Sequence, residues 1–236
     1  KPKNILPEQS AYIQSYINAF ESSLMGEDFL DPVVGYQSFI DVETFIDYFI
    51  MNELSRNVDG YRLSTFIYKD KDSTDGRLKM GPVWDYNLGF GNANYCDAYN
   101  HVGWAYKLEE RCPNGYWSIP FWWDRLMDDP YFKNRLKTRW VELRNGPLQT
   151  DSLVRYINEQ VIYLGDAIPR NFEKWPILGH WIWPNYVVKN KYSEEIDELI
   201  RWITFRANWL DAYMPGREIE TGIDQSNFAD LKVNFK

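Results

Sequence analysis

Asn52-Glu53-Leu54-Ser55-Arg56-Asn57-Val58-Asp59-Gly60-Tyr61 and, beyond a polar stretch, Gly81-Pro82-Val83-Trp84-Asp85-Tyr86-Asn87-Leu88-Gly89-Phe90-Gly91-Asn92 are the runs that decide how this chain is read. Upstream of the first run, Val42, Phe45, Ile46, Phe49, Ile50 and Leu54 recur at three and four positions behind Asp41, a good N-cap. That spacing predicts a helix that delivers the chain to Asn57 and Asp59. Between the runs, Tyr61, Leu63, Thr65, Ile67 and Lys69 alternate with Arg62, Ser64, Phe66 and Tyr68, a β-branched and aromatic pattern that predicts a first strand over 61–69. Asp75-Gly76 supplies a turn, and a second strand leads to Asp85. The two loop acids, Asp59 and Asp85, thus stand at either end of a β-hairpin.

Working outward, the chain reads as helices around that hairpin. Pro7 opens a helix through Met25, with Tyr12, Ile13, Tyr16, Ile17, Phe20 and Leu24 on one face and Gly26 as its stop. Residues 92–116 read as a long loop. Ile119 to Arg144 reads as a helix pair or a bent helix, with Asp129-Pro130 as the break. Thr150 or Asp151 caps a helix carrying Leu153, Ile157, Val161 and Leu164, extended to Trp175 with Pro169 as a kink or boundary. A Trp/Pro-rich turn spans Trp175 to Pro184, and a last helix runs from Ser193 to Met214. The expected fold is mainly α with a small β-hairpin (α+β), one domain over 1–214 and a polar tail or linker over 215–236.

With 236 residues, 44% of them hydrophobic, the chain can bury a large core. Its net charge of -8 argues against nucleic acid or an anionic membrane surface as partner, since both require a basic face. No run of about 18 apolar residues suggests membrane insertion. A start at Lys1 rather than Met suggests a processed or trimmed piece of a longer protein. Cys96 and Cys112 flank a loop of a length that a disulfide closes well, and two unpaired thiols are the other reading. Neither a Cys-x-x-Cys nor a His pair accompanies them, and His101 and His180 read as ordinary loop residues.

The block from Gly35 to Asn92 resembles the CotH kinase family, named for a spore-coat protein, and especially its secreted Bacteroidetes-type members. Besides the two quoted runs, Gly35-Tyr36, Asp41-Val42, Phe121-Trp122-Trp123 with Leu126, Arg139-Trp140, Arg170-Asn171-Phe172 with Trp175-Pro176, and Arg206 with Trp209-Leu210-Asp211 carry the likeness. The resemblance implies the C-terminal, helical part of an atypical protein-kinase-like fold that transfers phosphate from ATP to Ser or Thr of a secreted or surface protein, in an extracytoplasmic setting. By the same resemblance Asp59 matches the catalytic-loop acid, with Asn57 beside it. Asp85 matches the metal-binding acid after the hairpin, with Trp84 next to the nucleotide.

Phosphoryl transfer asks little covalent help of a protein: one carboxylate aligns the acceptor hydroxyl and another fixes a divalent ion on the phosphates. The implied ion is Mg2+ or Mn2+, with Asp85, Asn87 and Ser64 as its oxygen donors. Two positions depart from the expected pattern: Ser64 replaces the kinase Asn that holds a second metal, and Asn87 replaces a second Asp found in many members. Both weaken the metal site and point toward a low-activity or pseudokinase member. No Gly-rich phosphate loop or Val-Ala-x-Lys strand precedes the helix into Asp59, so the nucleotide-gripping lobe is expected to lie outside this chain, which by itself should bind Mg-ATP poorly.

Other readings of the same residues stand beside this one. Asp59 and Asp85 can simply cap turns. The 11 Trp and 17 Tyr make a noncatalytic glycan- or protein-binding module conceivable, with Trp117, Trp122, Trp123, Trp175, Trp181 and Trp183 crowding two regions, although large rings at helical spacing also fill cores. Asp59, Asp85, Glu53 or Asp124 as paired glycosidase acids would need carboxyls about 5–9 Å apart, one with a raised pKa.

Overall fold

In the computed structural model, which describes residues 4–112 and 118–219, helices dominate. In chain order they are α1 (Pro7–Met25), α2 (Val42–Ser55), α3 (Asp72–Asp75), α4 (Leu108–Arg111), α5 (Trp122–Asp128), α6 (Pro130–Arg144), α7 (Thr150–Leu164), α8 (Ala167–Lys174) and α9 (Tyr192–Tyr213). The one sheet among the described residues is the antiparallel pair β1 (Ile67–Lys69) and β2 (Leu78–Met80), in register Ile67 with Met80 and Lys69 with Leu78. The class is mainly α with a small hairpin.

Helix α2 is the axis of the molecule. Asp41 caps it through its side chain on Thr44 N, and most of its 14 residues are buried, as a helix apolar on nearly every side must be. It packs on α6, α9 and β2, while α1 lies against α5. Phe45, Ile46, Phe49 and Ile50 meet Phe20 and Leu24 of α1, Trp123 of α5, Leu136 and Trp140 of α6, and Ile203 and Ala207 of α9 in one core. Strand β2 continues into the chain before α2: Leu78 N donates to Phe39 O at 2.8 Å and Asp41 N donates to Leu78 O at 2.8 Å. The hairpin is thereby fixed to the start of the same helix whose end carries Asp59.

Several expectations change in detail. The first strand is confined to 67–69, because Tyr61 (φ 70°) and Ser64 (φ 45°) adopt left-handed backbone that a strand cannot pass through. Asp75-Gly76 does not make a two-residue hairpin turn; α3 forms a helical turn first. The helix expected to reach Trp175 breaks at Gly165 (φ 43°), and Pro169 sits in the first turn of α8, where a missing N–H is tolerated. Position 149, a Gln, precedes the first turn of α7 in place of a Thr or Asp cap.

Cys96 and Cys112 form a disulfide across 16 positions. Trp122 and Trp123 belong to the core, whereas Trp175, Trp181 and Trp183 are exposed. Trp117 lies outside the described residues, as do 113–116 of the long loop and 220–236 of the expected tail. Residues 217 and 219 lie along α6, with Arg217 N on Asn134 Oδ1 (2.8 Å) and Ile219 N on Thr138 Oγ1 (2.9 Å). No helix among the described residues is long and apolar enough to cross a membrane.

Candidate active site

The C-terminus of α2 turns sharply into the first acidic loop. Arg56 (φ 49°) ends the helix in left-handed backbone, and its guanidinium donates to Asn100 O (2.6 Å), to Asp97 O and to Asp97 Oδ2 (3.3 Å). Gly60 is required here, because a Cβ at that position would strike the buried Asn52 Oδ1. Tyr61 then dives inward: its hydroxyl donates to Glu53 Oε1 (2.9 Å) and its ring lies 4.8 Å from that of Trp123. Asp59, between these anchors, is left partly buried at the surface.

The second loop is pinned to the same helix end. Phe90 N donates to Ser55 O at 2.6 Å, and Asn92 Nδ2 donates to Asn87 O at 2.8 Å. Asn57, buried, joins the two loops: its Oδ1 accepts from Asp59 N (3.2 Å) and its Nδ2 donates to Asp85 O (3.4 Å). Asp85 itself holds left-handed backbone (φ 64°) that turns its carboxylate outward, where Ser64 Oγ donates to Oδ2 at 3.3 Å. Asn57, Asp59, Ser64 and Asp85 therefore share one neighbourhood.

Two further placements concern the flanking residues. Asn87 is exposed on the same loop. Trp84 stands 60% exposed beside Asp85, and the loop is packed by Tyr86, whose hydroxyl is buried.

Electrostatics bind the two acids together. Burial raises the Asp59 pKa, Arg62 opposes the rise, and the charge of Asp85 adds to it. Arg62 reaches Asp59 Oδ1 at 2.8 Å and Val58 O at 3.2 Å. Tyr95 faces the same carboxylate: burial raises its pKa first, and the Asp59 charge raises it further. Arg62 and Tyr95 were not singled out in the sequence; the Asp59/Arg62 spacing of three was visible there, whereas the approach of Tyr95 is set by the disulfide-closed loop.

Glu53 and Asp124 do not join the site. Glu53 is fully buried and receives Arg206 Nη2 (3.0 Å), Ala105 N (2.7 Å), Tyr106 N (2.9 Å) and the Tyr61 hydroxyl, so no lone pair is left for an incoming group. Asp124, on α5, pairs with Lys107. The glycosidase arrangement that used either acid therefore has no geometry to rest on. His101 serves as a backbone acceptor for Arg206 Nη1 (2.9 Å), and His180 is exposed.

Divalent-metal use fits these donors within a limit. Asp85 presents an outward carboxylate with Ser64 and Asn87 beside it, all hard oxygen donors, but no group of three or more His, Cys, Asp or Glu among the described residues could hold an ion. Such a set suits Mg2+, which keeps waters and takes one or two carboxylates plus substrate phosphates.

A helix running into one loop acid, a hairpin, and a second loop acid tied to the first through an Asn make up the candidate site. Residues 1–210 match the family described as CotH kinase protein, and the chain belongs to that family. No curated protein and no solved structure matches it.

Proposed function

We propose that this chain carries the catalytic acids of an atypical kinase that transfers the γ-phosphoryl group of ATP to Ser or Thr of a secreted or surface protein. The observation that carries this reading is Asn57, whose single side chain spans Asp59 and Asp85 and sets the spacing between them. Asp59 orients the acceptor hydroxyl and takes its proton, and Arg62 keeps that carboxylate aimed and ionised. Asp85 holds the cation with Asn87 and Ser64 in reach, and the exposed ring of Trp84 offers the nucleotide an apolar surface. When bound, Mg2+ or Mn2+ neutralises charge on the phosphates.

A Ser at position 64 and an Asn at 87 make this a lean metal site, consistent with slow turnover. The Cys96–Cys112 disulfide supports an extracytoplasmic location, since such bonds persist in oxidising compartments. The test is phosphate transfer from labelled ATP to a protein acceptor by the full-length protein. Asp59→Ala should lower the rate by about 10²-fold or more, the usual contribution of a positioned base. An Asp59→Ala protein that transfers phosphate at the native rate would end the proposal.

A further inference from the structure

We infer that the cavity directly beyond Asn87 is where the acceptor polypeptide is read, and that it takes a bulky, uncharged apolar side chain close to the phosphorylated Ser or Thr. The inference rests on the phosphotransfer reading and adds the substrate class to it. The cavity measures about 320 Å³, at the lower end of the range for ligand pockets, room enough for one bulky side chain. Its wall begins at Tyr86 and Asn87, so it adjoins the loop that carries Asp85. An acceptor lying against Asp59 and Asp85 has its neighbouring residues at this mouth.

The lining is built rather than incidental. Tyr99 and Tyr186 stack with ring centres 3.9 Å apart, and Trp202 fixes the floor by donating its indole N–H to Tyr99 O at 2.7 Å. Gly91 (φ 81°) lets the chain pass against Trp202, where a Cβ would lie 2.5 Å from the indole. The two walls are fastened by backbone hydrogen bonds, Tyr186 N to Asn92 O (2.8 Å) and Asn94 N to Pro184 O (2.9 Å). A second stacked pair, Tyr95 with Trp183, adds aromatic surface on the side where Tyr95 meets the charge of Asp59.

Charge decides what the cavity accepts. Glu198 is paired with Arg201 and also with Lys189 (3.7 Å), while Glu195 Oε1 receives the backbone N–H of Lys189 (2.9 Å). Both lining carboxylates are thus engaged, Glu198 by Arg201 and Lys189 and Glu195 by a backbone N–H, so neither is left unpartnered for a basic side chain, and their charge disfavours an acidic one. Arg201, the one cation among the lining residues, is committed to Glu198, so nothing here meets a nucleotide's phosphates. Apart from Asn87 and Asn92, the latter's amide spent on Asn87 O, what remains is aromatic and aliphatic surface, which favours an apolar side chain by burial.

The test uses the full-length protein and short fluorescent Ser peptides in which each flanking residue in turn is Phe, Leu, Ala, Asp or Lys. Binding is read by anisotropy without nucleotide, and phosphorylation is read separately. At one flanking position Phe and Leu peptides should bind about tenfold or more tighter than Ala, Asp and Lys peptides should not, and Val187→Trp, which fills the cavity from an exposed loop, should remove the preference. Tyr186→Ala, which opens the wall, should weaken it. Equal binding of Phe and Ala peptides, a preference for Lys or Asp, or an apolar preference that survives Val187→Trp would overturn the inference. Apolar preference in binding with phosphotransfer that ignores Asp59→Ala would instead remove the catalytic reading and leave the pocket standing. Asp59-dependent transfer without any apolar preference would do the reverse.

Discussion

Asp59 is held between opposing influences: burial and the Asp85 carboxylate raise its pKa, and Arg62 lowers it. A base works only when ionised, so the rate falls as pH drops through that pKa, and the acid limb of kcat/KM should lie above the ordinary Asp value of about 3.9. Removing the lowering influence with Arg62→Gln should move the limb to still higher pH. A limb that stays put, or moves down, would show that Arg62 does not act on Asp59. Gly60→Ala should cost about 1–3 kcal/mol by overpacking against Asn52, read as a lower denaturant midpoint.

At this scale the nearness of Asp59 to Asp85 was legible from the order of helix, loop acid, hairpin and loop acid, and Ser64 entered only through the family resemblance. The outward turn of Asp85 was not, since nothing in Trp84-Asp85-Tyr86 announces left-handed backbone at a non-glycine residue. Nor was the exposure of Trp84, because its neighbour Tyr86 does the packing.

Among the elements, the helices were readable from their periodicity, and α1 spans the range that Pro7 and Gly26 mark out. The hairpin was readable in kind and misjudged in length, because alternation continues through 61–66 while the backbone there turns to bury Tyr61 under Trp123. What no local pattern discloses is the pairing of Glu53 on α2 with Arg206 on α9, 153 residues away. Both side chains are fully buried, and Arg206 also donates to the carbonyls of Glu53, His101 and Gly103. Glu53→Gln should therefore destabilise by about 3–5 kcal/mol, since it leaves a buried cation unpaired. Chemical denaturation with an unchanged slope is the measurement, and a loss under about 1 kcal/mol would contradict the tie. The loop that Arg56 and Arg206 both grip is also closed by the disulfide, and Cys96→Ser with Cys112→Ser should cost about 3 kcal/mol by loop-closure entropy.

For the molecule as a whole, α2 does two jobs, filling the core along its length and leading into Asp59 beyond its end, which is why the candidate site is buried at its base and open at its rim. The two-stranded sheet is the only one among the described residues, and it supplies no phosphate-gripping strand array. Calorimetric titration of residues 1–236 alone with Mg-ATP should accordingly show no micromolar binding; a micromolar constant would mean that these helices hold nucleotide unaided. The division of labour between the two acids is best read from the metal dependence of phosphotransfer in the full-length protein. Asp59→Ala should lower the rate at every Mn2+ concentration without moving the midpoint, and Asp85→Ala should move the midpoint to much higher Mn2+ or abolish the response. Midpoints that shift alike in both variants, or in neither, would contradict the assignment of hydroxyl to Asp59 and cation to Asp85.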